Sequence, residues 1–315
     1  MSAAEYLRVL LFLAFIAVVY VLAASIGVRW LRHKLNRTTL SKNPRPVWYH
    51  SIVLTLAGVG LLCFGYGYFV EPYWLSVTHV SINSPKLTLG SRPIRIVHIS
   101  DLHSDPKPRL EERLPRAIAA EQPDLIVFTG DSINSPAGLP VFRECLTELA
   151  KIAPTFVVKG NWDAWYWHDL NLFAGTGAHE LNGSSSLVEV RGAPIWVSGV
   201  AVDDEKMMEQ AVSSMPEGAF KVFLYHYPDL IAAAAALKVD LYCAGHTHGG
   251  QVALPLYGAL ITFSKYGKRY EAGLYREGET WLYVNRGIGM EGGPVPRVRF
   301  WARPEVTVIE ISPES

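Results

Sequence analysis

Side chains that could hold a metal ion or move a proton recur directly after predicted strands of this 315-residue chain. Ser100-Asp101-Leu102-His103 follows an apolar run at 94–99, and Gly130-Asp131 follows another at 125–129. Polar residues in the same position after later strands are Asn161, Asp163, His226, His246 and His248. Ligands of open α/β sheets bind at the carboxyl ends of the strands. We therefore expect these side chains to meet at one edge of a sheet.

Seven of these side chains offer oxygen or nitrogen donors, and none is a thiolate: Asp101, His103, Asp131, Asn161, His226, His246 and His248. Such a set suits a pair of ions such as Mn, Fe or Zn better than a structural zinc site. Each residue alone has an ordinary explanation, because an Asp after a strand is commonly a helix cap or a turn residue. His246 and His248 point the same way only if the strand continues, whereas a turn would direct them toward two different metals. Taken together, the seven donors favour a two-metal site.

Short apolar runs separated by turns begin after Glu71 and predict the strands that position these residues. The predicted strands are 94–99, 125–129, 155–158, 195–200, 222–225, 239–243, 281–284 and 306–309. Helical patterns lie between several of them, at 110–121, 141–151 and 230–237. Asn182-Gly183 predicts a hairpin turn. Strands that alternate with helices, followed by a strand-rich end, predict an α/β domain of mixed sheets with helices outside.

Two long apolar segments precede this domain and predict a transmembrane hairpin. Residues 9–28 and 52–70 are uncharged, and both approach the roughly 20 residues that a helix needs to cross a bilayer. The alternatives are a cleaved signal peptide for the first segment and a buried core helix for the second. The connecting loop 29–50 carries six Lys or Arg residues and no acidic residue, which predicts a cytoplasmic loop and an extracytoplasmic catalytic domain. The predicted organisation is a hairpin at 1–70, a linker with an entry strand at 71–91 and a catalytic domain at 92–315.

The composition excludes two broad classes of protein. Half of the residues are hydrophobic and 18% are charged, which argues against a disordered protein. The 29 Lys and Arg residues balance the 29 Asp and Glu residues. The chain therefore lacks the positive excess that nucleic-acid backbones attract, and no nucleic-acid partner is expected. The three cysteines are too few and too scattered for a disulfide framework.

The ordered motifs resemble those of the calcineurin-like metallophosphoesterases over about residues 92–311. These motifs are Asp101-x-His103, Gly130-Asp131, Gly160-Asn161-x-Asp163, His226 and Gly245-His246-Thr247-His248. The ending GHTHGGQ, with SKYG at 264–267 and RGIG at 286–289, resembles the membrane-anchored bacterial branch, which includes UDP-2,3-diacylglucosamine diphosphatases. The resemblance implies two packed mixed β-sheets flanked by helices, two divalent metal ions (Mn, with Fe or Zn as alternatives) and a multi-pass protein of the bacterial inner membrane.

The same resemblance implies a role for each motif residue. One metal would be held by Asp101, His103 and His248. The other would be held by Asn161, His226 and His246, and Asp131 would bridge both. Two ions about 3.5–4 Å apart make hydroxide available near neutral pH and clamp the phosphoryl oxygens. The attacking group is then a metal-bound hydroxide, so no side chain is assigned as catalytic, and Asn161 and Trp162 are the expected substrate contacts.

Trp162 is a departure from that pattern, because many members of the family have a histidine there that protonates the leaving oxygen. Indole has no titratable proton near neutral pH, and general-acid catalysis is worth roughly 10²–10⁴ in rate. A phosphoanhydride leaves as a phosphate anion and needs no such proton. Trp162 therefore favours pyrophosphate bonds or activated esters, with His168 or His179 as an alternative acid.

Two further segments each have an ordinary and a functional interpretation. The run 161–173 concentrates aromatic rings, which predicts core packing or, alternatively, an apolar flap beside the metals for an acyl chain. Arg297, Arg299 and Arg303 predict a charged strand face, with contact to phosphate or lipid headgroups as the alternative.

The predicted function is a membrane-anchored, two-metal phosphohydrolase that cleaves a phosphodiester or pyrophosphate bond of a lipid-linked substrate. Within the resemblance, the sharpest candidate substrate is UDP-2,3-diacylglucosamine of lipid A synthesis, which would require a cytoplasmic catalytic domain. The alternatives are an extracytoplasmic phosphodiesterase of envelope lipids or wall polymers and a non-catalytic metal-binding membrane module. None of the seven ligands is missing, which disfavours the non-catalytic module.

Overall fold

Two long apolar helices lead the chain in the computed structural model, which describes residues 3–36, 45–87, 92–291 and 297–314. They are α1 (Ala3–Asn36) and α2 (Val47–Phe69), and both are long and apolar enough to cross a membrane. The hydroxyl of Tyr20 in α1 donates a hydrogen bond to the carbonyl oxygen of Ala57 in α2 at 3.2 Å. Their outer surfaces expose many large apolar side chains, which a water-soluble helix pair would bury.

Helix α1 extends to Asn36, beyond the predicted start of the connecting loop at residue 29. Arg29, Arg32 and Lys34 therefore lie in the last turns of a helix, where basic side chains interact favourably with the helix dipole. Residues 37–44 fall outside the described part of the chain. The connection between the two helices is thus shorter than the predicted loop 29–50.

The remainder of the described chain forms two six-stranded mixed sheets and a small hairpin. The first sheet contains β1 (Ser76–Ser84), β2 (Ile94–Ile99), β3 (Leu125–Phe128), β4 (Thr155–Val157), β5 (His179–Glu180) and β14 (Glu305–Pro313). The second sheet contains β6 (Ser184–Val190), β7 (Ala193–Gly199), β8 (Phe220–Leu224), β9 (Leu241–Ala244), β12 (Gly273–Glu277) and β13 (Thr280–Val284). The hairpin pairs β10 (Ala253–Leu254) with β11 (Gly258–Ala259).

Each large sheet has a parallel centre. The order of the first is β1-β14-β2-β3-β4-β5, in which β2 to β5 run parallel and β14 runs antiparallel to β2. The order of the second is β12-β13-β9-β8-β7-β6, in which β13, β9, β8 and β7 run parallel. Because parallel strands end at the same edge, each sheet gathers the residues that follow its strands along one edge.

Three apolar clusters hold the layers together. One lies between the sheets and joins Ile96 and Val127 of the first to Val222 and Leu224 of the second. Another packs α3 (Leu114–Ala120) and α4 (Leu139–Ala150) on the first sheet. A short helix α5 (Asn161–Tyr166) follows β4, and a third cluster packs α6 (Met208–Ser213) and α7 (Ile231–Ala236) on the second sheet. The central strands are covered on both faces, which explains why they are apolar throughout rather than alternating.

The predicted architecture of two mixed sheets flanked by helices is confirmed. All eight predicted strands are present, 94–99 with the predicted bounds and the other seven with shifted bounds. The hairpin turn predicted at Asn182-Gly183 is wrong, because β5 belongs to the first sheet and β6 to the second. These two residues instead carry the chain from one sheet to the other. The helix predicted at 110–121 begins only at Leu114, since residues 110–113 form bends and turns.

Candidate metal centre

The seven predicted ligands lie on loops that leave the carboxyl ends of five parallel strands. Asp101 and His103 follow β2, Asp131 follows β3, and Asn161 begins α5 after β4. The second sheet supplies His226 after β8, and His246 and His248 after β9. Six of the seven side chains are buried and His246 is half-buried. The centre therefore forms where the edges of the two sheets meet.

The carboxylate of Asp131 lies between two histidines from different sheets. Its Oδ2 is 3.5 Å from His103 Nε2 and 3.3 Å from His226 Nε2. Asp101 Oδ1 is 3.3 Å from His248 Nε2 and 3.9 Å from His226 Nε2, and the ring of His246 lies 5.1 Å from that of His226.

Two buried groups of donor atoms result, and within each group all atoms lie within 4.8 Å of one another. One group is Asp101, His103 and His248, and the other is Asp101, Asp131 and His226. Two such groups with a shared carboxylate are consistent with a dinuclear metal site. Asp101 belongs to both groups, and Asp131 also contacts His103 of the first.

Several donor atoms at this centre are buried without a hydrogen-bond partner among the described residues. They are Asp101 Oδ1, His103 Nε2, Asn161 Oδ1, His226 Nε2 and His246 Nε2. A buried polar atom without a partner costs free energy, so a cluster of them calls for an explanation. Oxygen and imidazole nitrogen atoms are ligands of Mn, Fe and Zn, so bound cations would satisfy all five. The donor set therefore fits the metal pair.

Tight backbone turns aim these side chains at one point. Five of the ligands, Asp101, His103, Asp131, His246 and His248, have φ angles between 42° and 69°. Residues other than glycine rarely adopt such angles, which cost on the order of 1–3 kcal/mol each and collect at functional sites. Glycine is also required where the loops touch the ligands, because a Cβ on Gly160 would overlap Asp131 Oδ1.

Asp163 is a supporting residue whose role the motif alone did not define. Its carboxylate is fully buried and accepts hydrogen bonds from the backbone N–H groups of Asp131 and Ser132, both at 2.9 Å, and of Gly160 at 3.0 Å. Burial and the charge of Asp131 raise the pKa of Asp163 to about 7, whereas the backbone donors act in the opposite direction. By joining the loops after β3 and β4, Asp163 fixes the backbone that presents Asp131 and Asn161.

The electrostatics of the centre prepare it for cations. Burial alone would raise the pKa of Asp101 and of Asp131, but the surrounding imidazoles lower both. Burial lowers the pKa of His103 to about 4 and that of His246 to about 3. For His226 burial also lowers the pKa, but Asp131 outweighs it and raises the pKa to about 9. At neutral pH two carboxylates are thus ionised and the imidazoles of His103 and His246 are neutral, as metal binding requires, whereas His226 would release its proton when a cation binds.

Trp162 lies beside the centre, where substrate contacts were predicted. Its backbone N–H donates a hydrogen bond to Asp131 Oδ1 at 2.9 Å, and its ring centroid is 5.3 Å from that of His103. Its indole Nε1 donates to Glu291 Oε1 at 3.3 Å. The half-buried ring therefore forms one wall of the approach to the ligands and offers no acidic proton there.

The two alternative acids lie elsewhere. His168 is exposed beside Asp169, at 3.4 Å from its carboxylate, and the ring of His179 stacks on Phe156 with centroids 5.2 Å apart. Within the described residues, neither histidine contacts a candidate ligand. The structure thus offers no support for either of them as the proton donor.

Arg299 was not predicted to belong to the centre, and it lies fully buried beside it. The charged strand face predicted for Arg297, Arg299 and Arg303 is wrong, because Arg299 directs its guanidinium inward to within 3.2 Å of His248 Nδ1. Arg297 is paired with Asp105 at 2.6 Å. Only the apolar residues around Arg299 in VPRVRFWARP could have signalled its burial.

Comparison with known proteins agrees with this geometry. A family model described as calcineurin-like phosphoesterase matches residues 94–250, a range that contains all seven candidate ligands. The metallophosphoesterase YkuE of Bacillus subtilis is 33% identical over 79% of this chain and 89% of its own length. The phosphodiesterase YaeI of Escherichia coli is 28% identical over 79% of this chain and 92% of its own. The UDP-2,3-diacylglucosamine pyrophosphatase LpxG of Chlamydia trachomatis is 26% identical over 81% of this chain and 94% of its own.

Proposed function

Since the chain belongs to the calcineurin-like metallophosphoesterase family, we propose that it is a membrane-anchored hydrolase that cleaves a phosphodiester or pyrophosphate bond of a lipid-linked substrate. The observation that carries this proposal is the position of the buried Asp/His centre, next to exposed apolar side chains at the ends of α1 and α2. The family accounts for the chemistry, and the surroundings of the centre account for the class of substrate.

In this proposal one metal ion is held by Asp101, His103 and His248. The other is held by Asn161, His226 and His246, and Asp131 is shared between them. When bound, the two ions (Mn, with Fe or Zn as alternatives) supply hydroxide near neutral pH and stabilise charge on the phosphoryl oxygens. The chain itself holds the donors in place through Asp163, while Asn161 and Trp162 face the substrate.

Two exposed aromatic side chains lie beside the metal centre. Phe263 is 48% exposed, and its ring centroid is 6.4 Å from that of His246. Tyr166 is also exposed, and its ring lies 5.1 Å from that of Trp162. Exposed apolar groups beside a polar site favour an apolar partner there. They suit the acyl chain of a lipid substrate.

A pocket lined by Leu256, Tyr257, Trp301 and Gly249, the residue after His248, lies at the ends of both helices. Leu256 is fully exposed at the tip of the β10–β11 hairpin, and the hydroxyl of Tyr257 accepts a hydrogen bond at 3.2 Å from Arg8 in α1. Trp301 is exposed, and its backbone N–H donates to the carboxylate of Glu71, two residues after α2, at 3.0 Å. Aromatic rings at this level suit the membrane interface. These residues suit the entry of a lipid substrate from the bilayer toward the metals.

The basic residues of the helix pair favour a bacterial inner-membrane protein whose catalytic domain lies on the extracytoplasmic side. Arg29, Arg32 and Lys34 lie at one end of α1, whereas the contact of Arg8 with the catalytic domain lies at the other. Lys and Arg residues near helix ends favour the cytoplasmic side. The catalytic domain, attached at the opposite ends of the helices, is then outside.

Two substrates are consistent with the centre, and each is favoured by a different feature. Trp162 favours a phosphoanhydride, and LpxG, by its name, hydrolyses UDP-2,3-diacylglucosamine; that substrate places the domain in the cytoplasm. The basic residues favour an outside location, and YaeI is named a phosphodiesterase, which points to a diester of an envelope lipid or wall polymer.

Phosphorus NMR on the full-length protein with Mn²⁺ separates these substrates. The protein is given UDP-2,3-diacylglucosamine and bis(p-nitrophenyl) phosphate in parallel, with Asp131→Asn as the matched control for both. Appearance of UMP assigns the anhydride, and cleavage of the diester alone assigns the envelope phosphodiesterase. If neither compound, nor a panel of other lipid-linked phosphate esters, is hydrolysed by protein that carries metal, the proposal is wrong.

A labelling experiment tests the orientation independently of the substrate. Cys145 and Cys243 are buried, and burial raises the pKa of both thiols, so they react slowly. The partly exposed Cys63 of α2 is replaced by alanine in the protein used for labelling. A cysteine introduced by Glu279→Cys, at a side chain that is 93% exposed, reports the side of the catalytic domain. Labelling by a membrane-impermeant maleimide in intact cells supports the outside location, and labelling only after permeabilisation contradicts it.

A further inference from the structure

Helix α2 contacts the catalytic domain through the segment 297–303, which we call the strap. Gly67 is buried near the end of this helix, and its carbonyl oxygen accepts a hydrogen bond from the backbone N–H of Arg299 at 2.9 Å. The aromatic rings of Tyr66 and Phe300 meet edge to face with centroids 6.1 Å apart. The end of α2 is therefore seated on the strap by backbone and side-chain contacts.

Glu71 secures the same contact with its charge. Its side chain is fully buried, and its carboxylate accepts hydrogen bonds from the backbone N–H groups of Trp301 at 3.0 Å and Ala302 at 2.6 Å. A buried carboxylate that accepts hydrogen bonds from two backbone donors resists displacement, because its removal from them would leave a buried charge unpaired. The strap is thus tied to the end of α2 at Arg299 itself and at the three residues that follow it.

The side chain of Arg299 points from the strap toward the metal centre. Its Nε donates to the carbonyl oxygen of Gly289 at 2.9 Å, and its Nη1 donates to those of Arg286 at 3.0 Å and Ala302 at 2.7 Å. Arg286 and Gly289 are the two ends of the RGIG segment, 286–289. The guanidinium therefore clamps this segment at both ends, with geometry that a lysine cannot reproduce.

The clamped segment supports the loop that carries two of the candidate ligands. The backbone N–H of Gly289 donates to the carbonyl oxygen of Asp101 at 2.7 Å, and that of Ile288 donates to Ser100 at 3.0 Å. A Cβ on Gly287 would contact Asp101 Cβ at 2.6 Å, so the two segments lie in direct contact. Arg299 Nη2 also lies 3.2 Å from His248 Nδ1. Continuous contacts thus run from Gly67 through Arg299 to Asp101 and His248.

We propose that Arg299 is a positioning residue that couples the seating of α2 to the geometry of the metal centre, so that metal affinity depends on the membrane helix. The RGIG motif at 286–289 contains none of the candidate ligands, and in this proposal it connects Arg299 to the loop that carries Asp101. Substitution of residues that hydrogen-bond to metal ligands and orient them typically changes metal affinity 10–100-fold. A buried arginine with a purely structural role would lower the stability of the apoprotein and leave its intrinsic metal affinity unchanged.

Two glycines of α2 provide a matched pair of variants. A Cβ on Gly67 would lie 2.9 Å from the carbonyl oxygen of Arg299, so Gly67→Ala must displace the strap or the helix. A Cβ on Gly65 would meet nothing within 4 Å, so Gly65→Ala adds the same methyl group without this contact. Both variants are purified at full length in detergent and stripped of metal, and binding of Mn²⁺ is measured by isothermal titration calorimetry.

We expect Gly67→Ala to bind Mn²⁺ about tenfold more weakly or worse, while Gly65→Ala binds as the unmodified protein does, with both apoproteins folded at the temperature of the titration. Unchanged affinity in Gly67→Ala, or equal weakening in both variants, overturns the proposal. A second variant, Arg299→Lys, keeps the charge and is expected to weaken metal binding even when α2 is intact. These measurements contain no substrate, so their outcome is independent of whether the proposed lipid-linked substrate is correct.

Discussion

Replacing Trp162 by histidine tests how this centre selects the bond that it cleaves. The backbone at this position is held by the hydrogen bond from its N–H to Asp131 Oδ1 at 2.9 Å, so the new side chain starts from the same place. The ring there now lies 5.3 Å from that of His103, at the approach to the ligands. An imidazole in this place has a proton to give to a leaving oxygen near neutral pH, which indole lacks.

The size of the expected gain follows from what the imidazole would contact. A well-positioned general acid contributes roughly 10²–10⁴ in rate. Glu291 Oε1 now accepts a hydrogen bond from the indole nitrogen at 3.3 Å. The same carboxylate could accept from an imidazole and orient it. Because Glu291 is exposed, we expect the lower end of the range, about 10²-fold, which corresponds to roughly 2.7 kcal/mol of transition-state stabilisation. That gain applies only to leaving groups that need a proton.

The assay compares kcat/KM for an unactivated alkyl phosphodiester with kcat/KM for a nucleoside diphosphate ester that has a pyrophosphate bond. In Trp162→His the alkyl diester should gain about 10²-fold, and the anhydride should change little. Trp162→Phe removes the indole without adding a proton donor, so it should improve neither. An equal change for both substrates in Trp162→His, or no gain for the alkyl diester while metal content is normal, would refute the argument that Trp162 sets the bond preference.

Other consequences of the structure are measurable with single variants. Asp131→Asn removes the carboxylate that contacts both groups of ligands and should lower kcat by roughly 10³-fold or more, a loss visible in the same phosphorus NMR assay. Gly160→Ala should lower metal content measured by mass spectrometry, because its Cβ overlaps Asp131 Oδ1, whereas Gly218→Ala, with nothing within 4 Å, should not. Removal of metal by a chelator should lower the unfolding temperature, since ligand at 100 times its Kd contributes about 2.7 kcal/mol. Burial lowers the pKa of His98 to about 3, so the unfolded chain takes up a proton below pH 6.5 that the folded chain excludes. The free energy of unfolding then decreases as the pH is lowered below 6.5, by about 2 kcal/mol at pH 5. The free energy of unfolding in urea should differ less between pH 7 and pH 5 in His98→Gln than in the unmodified protein. An equal difference in the two proteins would contradict the role of His98.

The exclusion of that proton from His98 has a structural cause. Thr129 donates its hydroxyl proton to Ser100 Oγ at 2.7 Å, so it accepts from His98 Nε2 at 2.9 Å. This arrangement places the proton of the neutral ring on Nε2. The Nδ1 atom is buried and has no hydrogen-bond partner within the described residues. A second proton there would bury a charged donor without an acceptor, which is costly.

The sequence could predict the centre because every candidate ligand directly follows an apolar run. Parallel strands end at one edge, so knowing that Asp101, Asp131, Asn161 and His226 each follow a strand is enough to place them near one another. The short helix α5 was not predicted, because its residues, NWDAWY, are rich in aromatic rings with low helix propensity. Its hydrogen bonds with Asp131, rather than its own preferences, decide its conformation.

Contacts between residues distant in the chain could not be predicted in the same way. Asn182-Gly183 has the composition of a hairpin turn, yet the chain passes between two sheets there, because pairing with β4 and β7 outweighs the local preference. Arg299 looks like a surface residue in the sequence, and its burial depends on carbonyl oxygens of Arg286 and Gly289 that the fold brings to it. Local composition does not encode such acceptors, since they belong to the backbone.

The distribution of the ligands over two sheets has a consequence for the whole domain. Asp101, His103, Asp131 and Asn161 come from the first sheet, and the three remaining histidines come from the second. Hydrogen bonds already join the two sheets at this edge, among them His226 Nδ1 to the carbonyl oxygen of Thr129 at 2.7 Å and Asn285 Nδ2 to that of His98 at 3.1 Å. Metal ligands from both sheets would add further fixed distances. Bound ions would therefore fix the two sheets relative to each other. The strap acts on the same edge from the side of α2, because Arg299 contacts His248 of the second sheet and supports Asp101 of the first through Gly289. Seating of α2 and binding of metal thus stabilise the same relative position of the sheets, and each should favour the other.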